Sequence, residues 1–320
     1  AFLRPYTWMA VAAVILVFLQ AMGELYLPTL MASIVDEGIV YGDTRHILLV
    51  GSRMLLMAAL SVSAAVLATR FASRVAMGFG RDLRNRLFSH VTNFSMQEFD
   101  QVGTATLITR TTNDVNQVQH TVFMALRMMT RAPLMAIGGI FMAVAQDARL
   151  SLIFVLVIPL LAGLMAFIGS KGMPLFKVLQ EKLDRLNLVS REGLTGIRVI
   201  RAFNRTEYEE QRFTEANSDL TRTAIRVNRI MAAMDPVMQI TFNMTTVAIL
   251  WFGAIRIDLG EMQVGSLMAF LQYAMQILFS LMMMSMMFVM IPRAAVSANR
   301  VAEILAMEPQ IRDPEQPKRP

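Results

Sequence analysis

Three pairs of polar residues, each about one helical turn apart, interrupt otherwise apolar stretches of this 320-residue sequence: Gln20 and Glu24, Gln239 and Asn243, Gln272 and Gln276. Polar groups are costly in such surroundings unless they face protein or a water-filled path. Each pair therefore marks a face that either hydrogen-bonds a passing solute or ties helices together. Glu24 is the one acid deep within an apolar stretch. If ionised and facing a wet cavity it would favour cationic solutes; otherwise it is protonated. Met275 and Phe279 share the Gln272 face, and residues 281–291, LMMMSMMFVMI, carry six of the 28 methionines. Unbranched thioether chains suit a surface that accepts varied shapes, with core filling as the plain alternative for most of them. Arg127 and Arg131, also one turn apart, are expected to snorkel from the end of their span.

This is binding chemistry, and catalytic groups are not apparent. There is no cysteine, and His46, His90 and His120 lack ligand spacing, so no metal site is expected. No G-x-x-x-x-G-K-[ST] occurs, and the lone GSKG at 169–172 lacks the strand and helix that a phosphate cradle needs. ATP hydrolysis by this chain alone is excluded on that ground.

A second constellation lies far from the polar pairs. Residues 194–213, LTGIRVIRAFNRTEYEEQRF, crowd charges around Phe203, Tyr208 and Phe213, which are spaced by five. Apolar anchors framed by register-setting charges (Arg205, Glu207, Glu209, Glu210, Arg212) suit a groove on a partner. The alternative is a solvated turn whose aromatics pack on their own hairpin.

The elements that must position these groups follow from composition. With 55% hydrophobic residues, 17% charged ones and a mean hydropathy of +0.49, the chain lies in the range of helical membrane proteins. Six stretches reach the roughly 20 residues that a span needs: 8–35, 48–69, 121–145, 150–170, 236–256 and 265–291. An even number puts both termini on one side. Of the 30 Lys and Arg, 26 fall in the termini, in 70–131 and in 171–229, that is in the two long connections and the adjoining end of the third span, so the connections and termini are expected in the cytoplasm. The net charge of +6 is thereby topological, and nucleic acid is not an expected partner. The start, AFLRPYTW, reads as a trimmed terminus with a retained first span, in a multi-pass protein of the inner or plasma membrane. Residues 171–235 hold a single proline, Pro174, and Leu183, Leu186, Val189 and Leu194 recur near helical spacing. Two antiparallel helices there would reach about 40 Å beyond the bilayer. After Met307 four prolines stand among charges, so 308–320 reads as a linker toward a further domain.

At this point the residues carry a resemblance. SREGLTGIRVIRAFNRTEYEEQRF (190–213) resembles the second intracellular loop of ATP-binding-cassette (ABC) exporters. FDQVGTATLITRTTNDVNQVQ (99–119) resembles the first, and ANRVAEILAMEPQI (298–311) the connector to the nucleotide-binding domain. LRMMTRAPLMAIGGI (126–140) and YAMQILFSLMM (273–283) are most similar to subunits of bacterial heterodimeric multidrug exporters. The resemblance implies an all-α exporter transmembrane domain over 1–307, six helices with long cytoplasmic extensions, in a domain-swapped homodimer or heterodimer. It implies coupling helices near 99–106 and 205–213, with Phe99, Val102, Thr104, Phe203, Arg205, Glu207, Tyr208, Glu209, Arg212 and Phe213 meeting nucleotide-binding domains on the same or a separate chain. Arg110 and Asp114, an i,i+4 pair, would brace the first of these helices. ATP and Mg would enter through those domains, and drug-like or lipid-like substrates would leave by alternating access. An ion-coupled transporter, a nucleotide-gated channel and a non-transporting scaffold remain as alternatives.

Overall fold

The computed structural model describes residues 2–308, apart from the side chains at positions 168, 169, 171, 173, 288 and 289. The expected linker, 308–320, lies outside these residues except for Glu308. Every regular element among the described residues is helical. Five stretches of continuous helix are long and apolar enough to cross a membrane: Arg4–Ile39, Thr44–Val91, Thr104–Gln146, Thr206–Asp258 and Val264–Ala306. The remaining expected span, 150–170, opens a 44-residue helix whose apolar run is Leu152–Phe167.

A single turn, Arg4–Tyr6, leads into α1 (Thr7–Ser33), which ends in a π turn, Ile34–Ile39. Asp43 starts α2 (Thr44–Val91) by accepting the His46 N–H at 3.0 Å. There follow α3 (Met96–Val102), α4 (Thr104–Thr109), α5 (Val115–Met124) and α6 (Thr130–Gln146), with π turns at Arg110–Asp114 and Ala125–Met129. Then come α7 (Leu152–Thr195), α8 (Ile197–Ala202), α9 (Thr206–Asp258) and α10 (Val264–Ala306).

The chain divides into two compact units, residues 1–151 with 252–320, and residues 152–251. In the first, α1, α2, α6 and α10 pack along small residues. A Cβ at Gly139 would strike Ile277 of α10, so the glycine sets how closely α6 and α10 approach. Tyr273 is fully buried; its hydroxyl donates to the Leu25 carbonyl at 2.9 Å and lies 2.7 Å from the Thr29 hydroxyl, fixing α10 against α1. A second core joins Phe79, Leu83, Leu87, Phe94, Leu107, Val115, Val301 and Ile304. Burying such side chains stabilises by roughly 1.5–3 kcal/mol each, which holds the polar extensions of α2, α5 and α10 together.

The second unit is a long hairpin. Val189, Ala216 and Val227 are buried along it, while Leu183 and Leu194, expected on the same stripe as Val189, are exposed. Lys182 pairs with Asp219 at 2.6 Å and Arg212 with Glu192 at 2.5 Å across the two arms. The Lys182 ammonium holds the Asp219 carboxyl below the usual carboxylate range.

Candidate functional site

Along α10 the sequence alternates what it buries and what it leaves open. Tyr273, Ala274, Ile277, Leu278 and Ser280 are buried, whereas Gln272, Met275 and Phe279 are exposed and Gln276 is half-buried. The spacing of 3, 1 and 3 residues puts the latter four on one face. This is the stripe expected from sequence, assembled by backbone geometry alone. The Gln276 Oε1 atom is itself buried and has no hydrogen-bond partner among the described residues.

The N-terminus of α10 is held by a residue 229 positions away: Asp36, buried, accepts the Gly265 N–H at 2.6 Å and the Ser266 N–H at 3.1 Å. A carboxylate there satisfies two orphan amides and meets the positive end of the helix dipole. Position 265 must be glycine because a Cβ would collide with the Ala32 carbonyl and with Asp36 itself. Nothing in the sequence marks Asp36 for this role, since a cap normally adjoins its helix in sequence.

Glu24 takes a different solution from the two expected. Arg131 Nη2 lies 2.6 Å from Glu24 Oε2, and Gln20 Nε2 donates to Glu24 Oε1 at 2.8 Å. The side chains of Glu24 and Arg131 are 25% and 33% exposed. Arg131 therefore does not snorkel. It crosses from α6 to α1 and neutralises the acid, so the pair Gln20 and Glu24 belongs to an interhelical network. Arg127 has no hydrogen-bond or ion-pair partner among the described residues. Gln239 and Asn243 lie in the second unit, both exposed on one face of α9 beside Ile240, Met244 and Val247.

Both sequence expectations about short helices shift. The first lies at Met96–Val102, not 99–106, because Gly103 adopts φ +79° and breaks it from α4. Ser95 opens it with a capping box, its N–H donating to Glu98 at 2.6 Å. Phe99 and Val102 pack inward on the second core, so the open face is Met96, Gln97, Asp100 and Gln101, with Thr104 exposed just beyond. The second short helix is α8, 197–202, and residues 206–213 form the first turns of α9. Asn204, at φ 51°, ends α8 with a Schellman pattern: Arg205 N–H to Ile200 O at 2.9 Å and Asn204 N–H to Arg201 O at 3.2 Å. Around it Leu194, Val199, Phe203 and Tyr208 are strongly exposed, and Phe213 less so. The aromatics thus do not fold back on their own hairpin. The charges divide: Arg212 is tied to Glu192 and lies 3.6 Å from Glu209, while Arg205, Glu207 and Glu210 stay exposed.

Arg110 and Asp114 do not pair with each other. They fall in a π turn, which displaces the i+4 position, and each reaches α10 instead. Arg110 donates to the Arg300 carbonyl at 2.9 Å and to Glu303 at 3.1 Å; Asp114 accepts from Ser297 at 2.8 Å. The bracing runs between the first loop and the foot of α10. His90 extends it, its Nε2 lying 2.8 Å from the Met307 carbonyl where the described chain ends its last helix.

Among the described residues no cluster of His, Cys, Asp and Glu could hold a metal. The GSKG run lies within helix α7, where backbone amides are committed to the helix and cannot cradle phosphate. An open polar stripe on a membrane-length helix, with polar helical arms ending in exposed apolar tips, defines a helical membrane-transport domain. The comparisons place it further: the model of the ABC transporter transmembrane region matches residues 10–293, and the chain belongs to that family. It is similar to an uncharacterised ABC transporter ATP-binding protein of Mycobacterium tuberculosis, 42% identical over 318 residues, 99% of this chain and 55% of the relative. A second such protein, of Bacillus subtilis, is 36% identical over 308 residues, 96% and 54% of the two chains. An ATP-dependent lipid A-core flippase of Syntrophus aciditrophicus is 28% identical over 232 residues, 72% and 39%. The chain spans about half the length of the first two relatives.

Proposed function

We propose that this chain is the membrane half of an ATP-driven exporter. It moves amphipathic or hydrophobic substrates out of the cytoplasm by alternating access, with its long arms and both termini on the cytoplasmic side. The observation that carries this reading is the open face of α10, where Gln272 and Gln276 alternate with Met275 and Phe279 on a helix whose other face is locked to α1 and α6. Such a face offers hydrogen bonds and adaptable apolar contact together, which suits amphipaths of varied shape. Gln239 and Asn243 would offer a second polar face of the same kind, within the second unit.

The exposed tips supply the other half of the proposal. Met96, Gln97, Asp100 and Gln101 on α3, and Phe203 and Tyr208 beside α8, would dock on nucleotide-binding domains that hold ATP and Mg. The names of the relatives as ATP-binding proteins, and the half-length coverage, support such a partner. A second copy or a related subunit would complete the path. Ion coupling is disfavoured because the Glu24 carboxylate is already engaged by Arg131 and Gln20. The test is transport by the full-length protein in proteoliposomes across a panel of amphipaths, with Gln272→Ala, Gln276→Ala and Phe279→Ala. Altered substrate ranking at preserved basal ATPase supports the path; unchanged ranking in all three variants contradicts it.

A further inference from the structure

The opening turn of the chain lies along α2 and frames two arginines, Arg70 and Arg74, without a hydrogen-bond or ion-pair partner among the described residues. Trp8 meets Phe71 edge-on, ring centroids 5.8 Å apart. Tyr6 donates its hydroxyl to Asp82 at 2.8 Å, and its ring fills the space that a side chain at Gly78 would need. Phe71, Arg74, Gly78 and Asp82 recur every three or four residues and so share one face of α2. Arg74 therefore sits between the Trp8 contact and the Tyr6 contact, with Arg70 one turn before it. Both are exposed, and neither has a hydrogen-bond or ion-pair partner among the described residues. Arg81 and Arg84, further along, are committed: Arg81 to Asp82 at 2.8 Å, Arg84 to Asn116 at 2.8 Å and to Gln119 at 3.0 Å.

Their depth gives them meaning. Residues 54–69 of α2 carry no charge, a run of roughly 25 Å at about 1.5 Å per residue, and Arg70 ends it. Trp8 stands where the apolar run of α1 begins and is 60% exposed, a ring of the type that settles at the boundary between lipid and water. We propose that Trp8, Arg70 and Arg74 form a binding site for an anionic phospholipid. The guanidinium groups grip its phosphate, and the indole lies along the glycerol and upper acyl chain. Planar guanidinium forks match phosphate oxygens, and a lipid without a compensating headgroup cation leaves that charge fully available. The site does not depend on the direction of transport.

These 320 residues hold two tryptophans, Trp8 and Trp251, so Trp251→Phe leaves Trp8 as their sole indole reporter. The full chain carrying that change is reconstituted into phosphatidylcholine bilayers, and Trp8 emission is titrated with phosphatidylglycerol or phosphatidylcholine brominated in the acyl chains. Only a lipid carries the quencher, so free phosphate gives no signal. The expected result is a relative binding constant for phosphatidylglycerol about thirtyfold above phosphatidylcholine, the ratio equivalent to about 1 kcal/mol for each of the two basic residues near an anionic surface. Arg74→Gln should lower the ratio, Arg70→Gln/Arg74→Gln should bring it near one, and the double Lys variant should keep part of it. Equal quenching by the two lipids in the parent, a ratio unmoved by the Gln variants, or no quenching by either lipid would each overturn the proposal. The last would mean that protein covers Trp8.

Discussion

Replacing Arg131 with Gln should reveal how much the membrane domain depends on the charge it places against Glu24. Two unit charges 2.6 Å apart attract by roughly 6 kcal/mol at an effective dielectric of about 20. Most of this is consumed by taking the pair out of water. Breaking a fully buried pair costs about 3–5 kcal/mol because one charge is left uncompensated, and the partial exposure here lowers the expectation to about 1–3 kcal/mol. Glu24→Gln should cost less than Arg131→Gln, since the new amide keeps an acceptor for Arg131 and a contact with Gln20. The assay is a double-mutant cycle on denaturant-induced unfolding of the full-length protein in micelles, with Glu24→Gln, Arg131→Gln and the double variant. The account predicts a coupling energy of about 1–2 kcal/mol. Additivity within about 0.3–0.5 kcal/mol would refute the claim that these residues act as a unit.

Asp36→Asn should destabilise by about 1–2 kcal/mol in the same unfolding assay, because an amide cannot accept both the Gly265 and Ser266 N–H groups and loses the charge favoured by the dipole. Gly265→Ala should be at least as damaging, by collision with Ala32 and Asp36. Phe203→Ala and Tyr208→Ala should leave the fold of the chain intact, since both rings are exposed. In the full-length protein they should abolish substrate stimulation of ATP hydrolysis, whereas Glu210→Ala should weaken it less. The Lys182–Asp219 link has a defined pH sense. The folded aspartate is held below its ordinary value, so its contribution is complete above the usual carboxylate range and is lost as pH falls through the depressed folded value. Hydrogen-exchange protection over α7 and α9, measured against the intrinsic rate at each pH, should fall on acidification below about pH 4, and Asp219→Asn should flatten that dependence.

Much of the helical plan was legible because apolar length and charge position are local properties. The run at 8–35 and the stripe Gln272, Met275, Gln276 and Phe279 needed only helical periodicity to be placed. What escaped the sequence were contacts set by tertiary register. Arg131 reaches Glu24 across 107 positions, and Asp36 caps a helix 229 positions away; no spacing rule carries such information. Arg110 and Asp114 show the opposite failure. Their i,i+4 spacing suggested a pair, but a π turn moved them out of phase and gave each a partner on α10. The short helices were displaced for a related reason. Gly103 at φ +79° and Asn204 at φ 51° decide where they end, and neither residue type commits to the left-handed region from sequence alone. Phe99 was legible as an apolar residue, but its inward direction depended on a core built from α2, α5 and α10.

The most direct test of the exporter reading is transport by the full-length protein in proteoliposomes, loading a fluorescent amphipath from the side that exposes position 209 and supplying ATP and Mg to that same side. The sequence has no cysteine of its own in these 320 residues, so single cysteines at Tyr41 and Glu209 can report sidedness with an impermeant thiol reagent. The account predicts ATP-dependent movement of the amphipath away from the face where position 209 is labelled and toward the face where position 41 is labelled. Movement driven by an ion gradient and indifferent to ATP, or movement in the opposite direction, would contradict it.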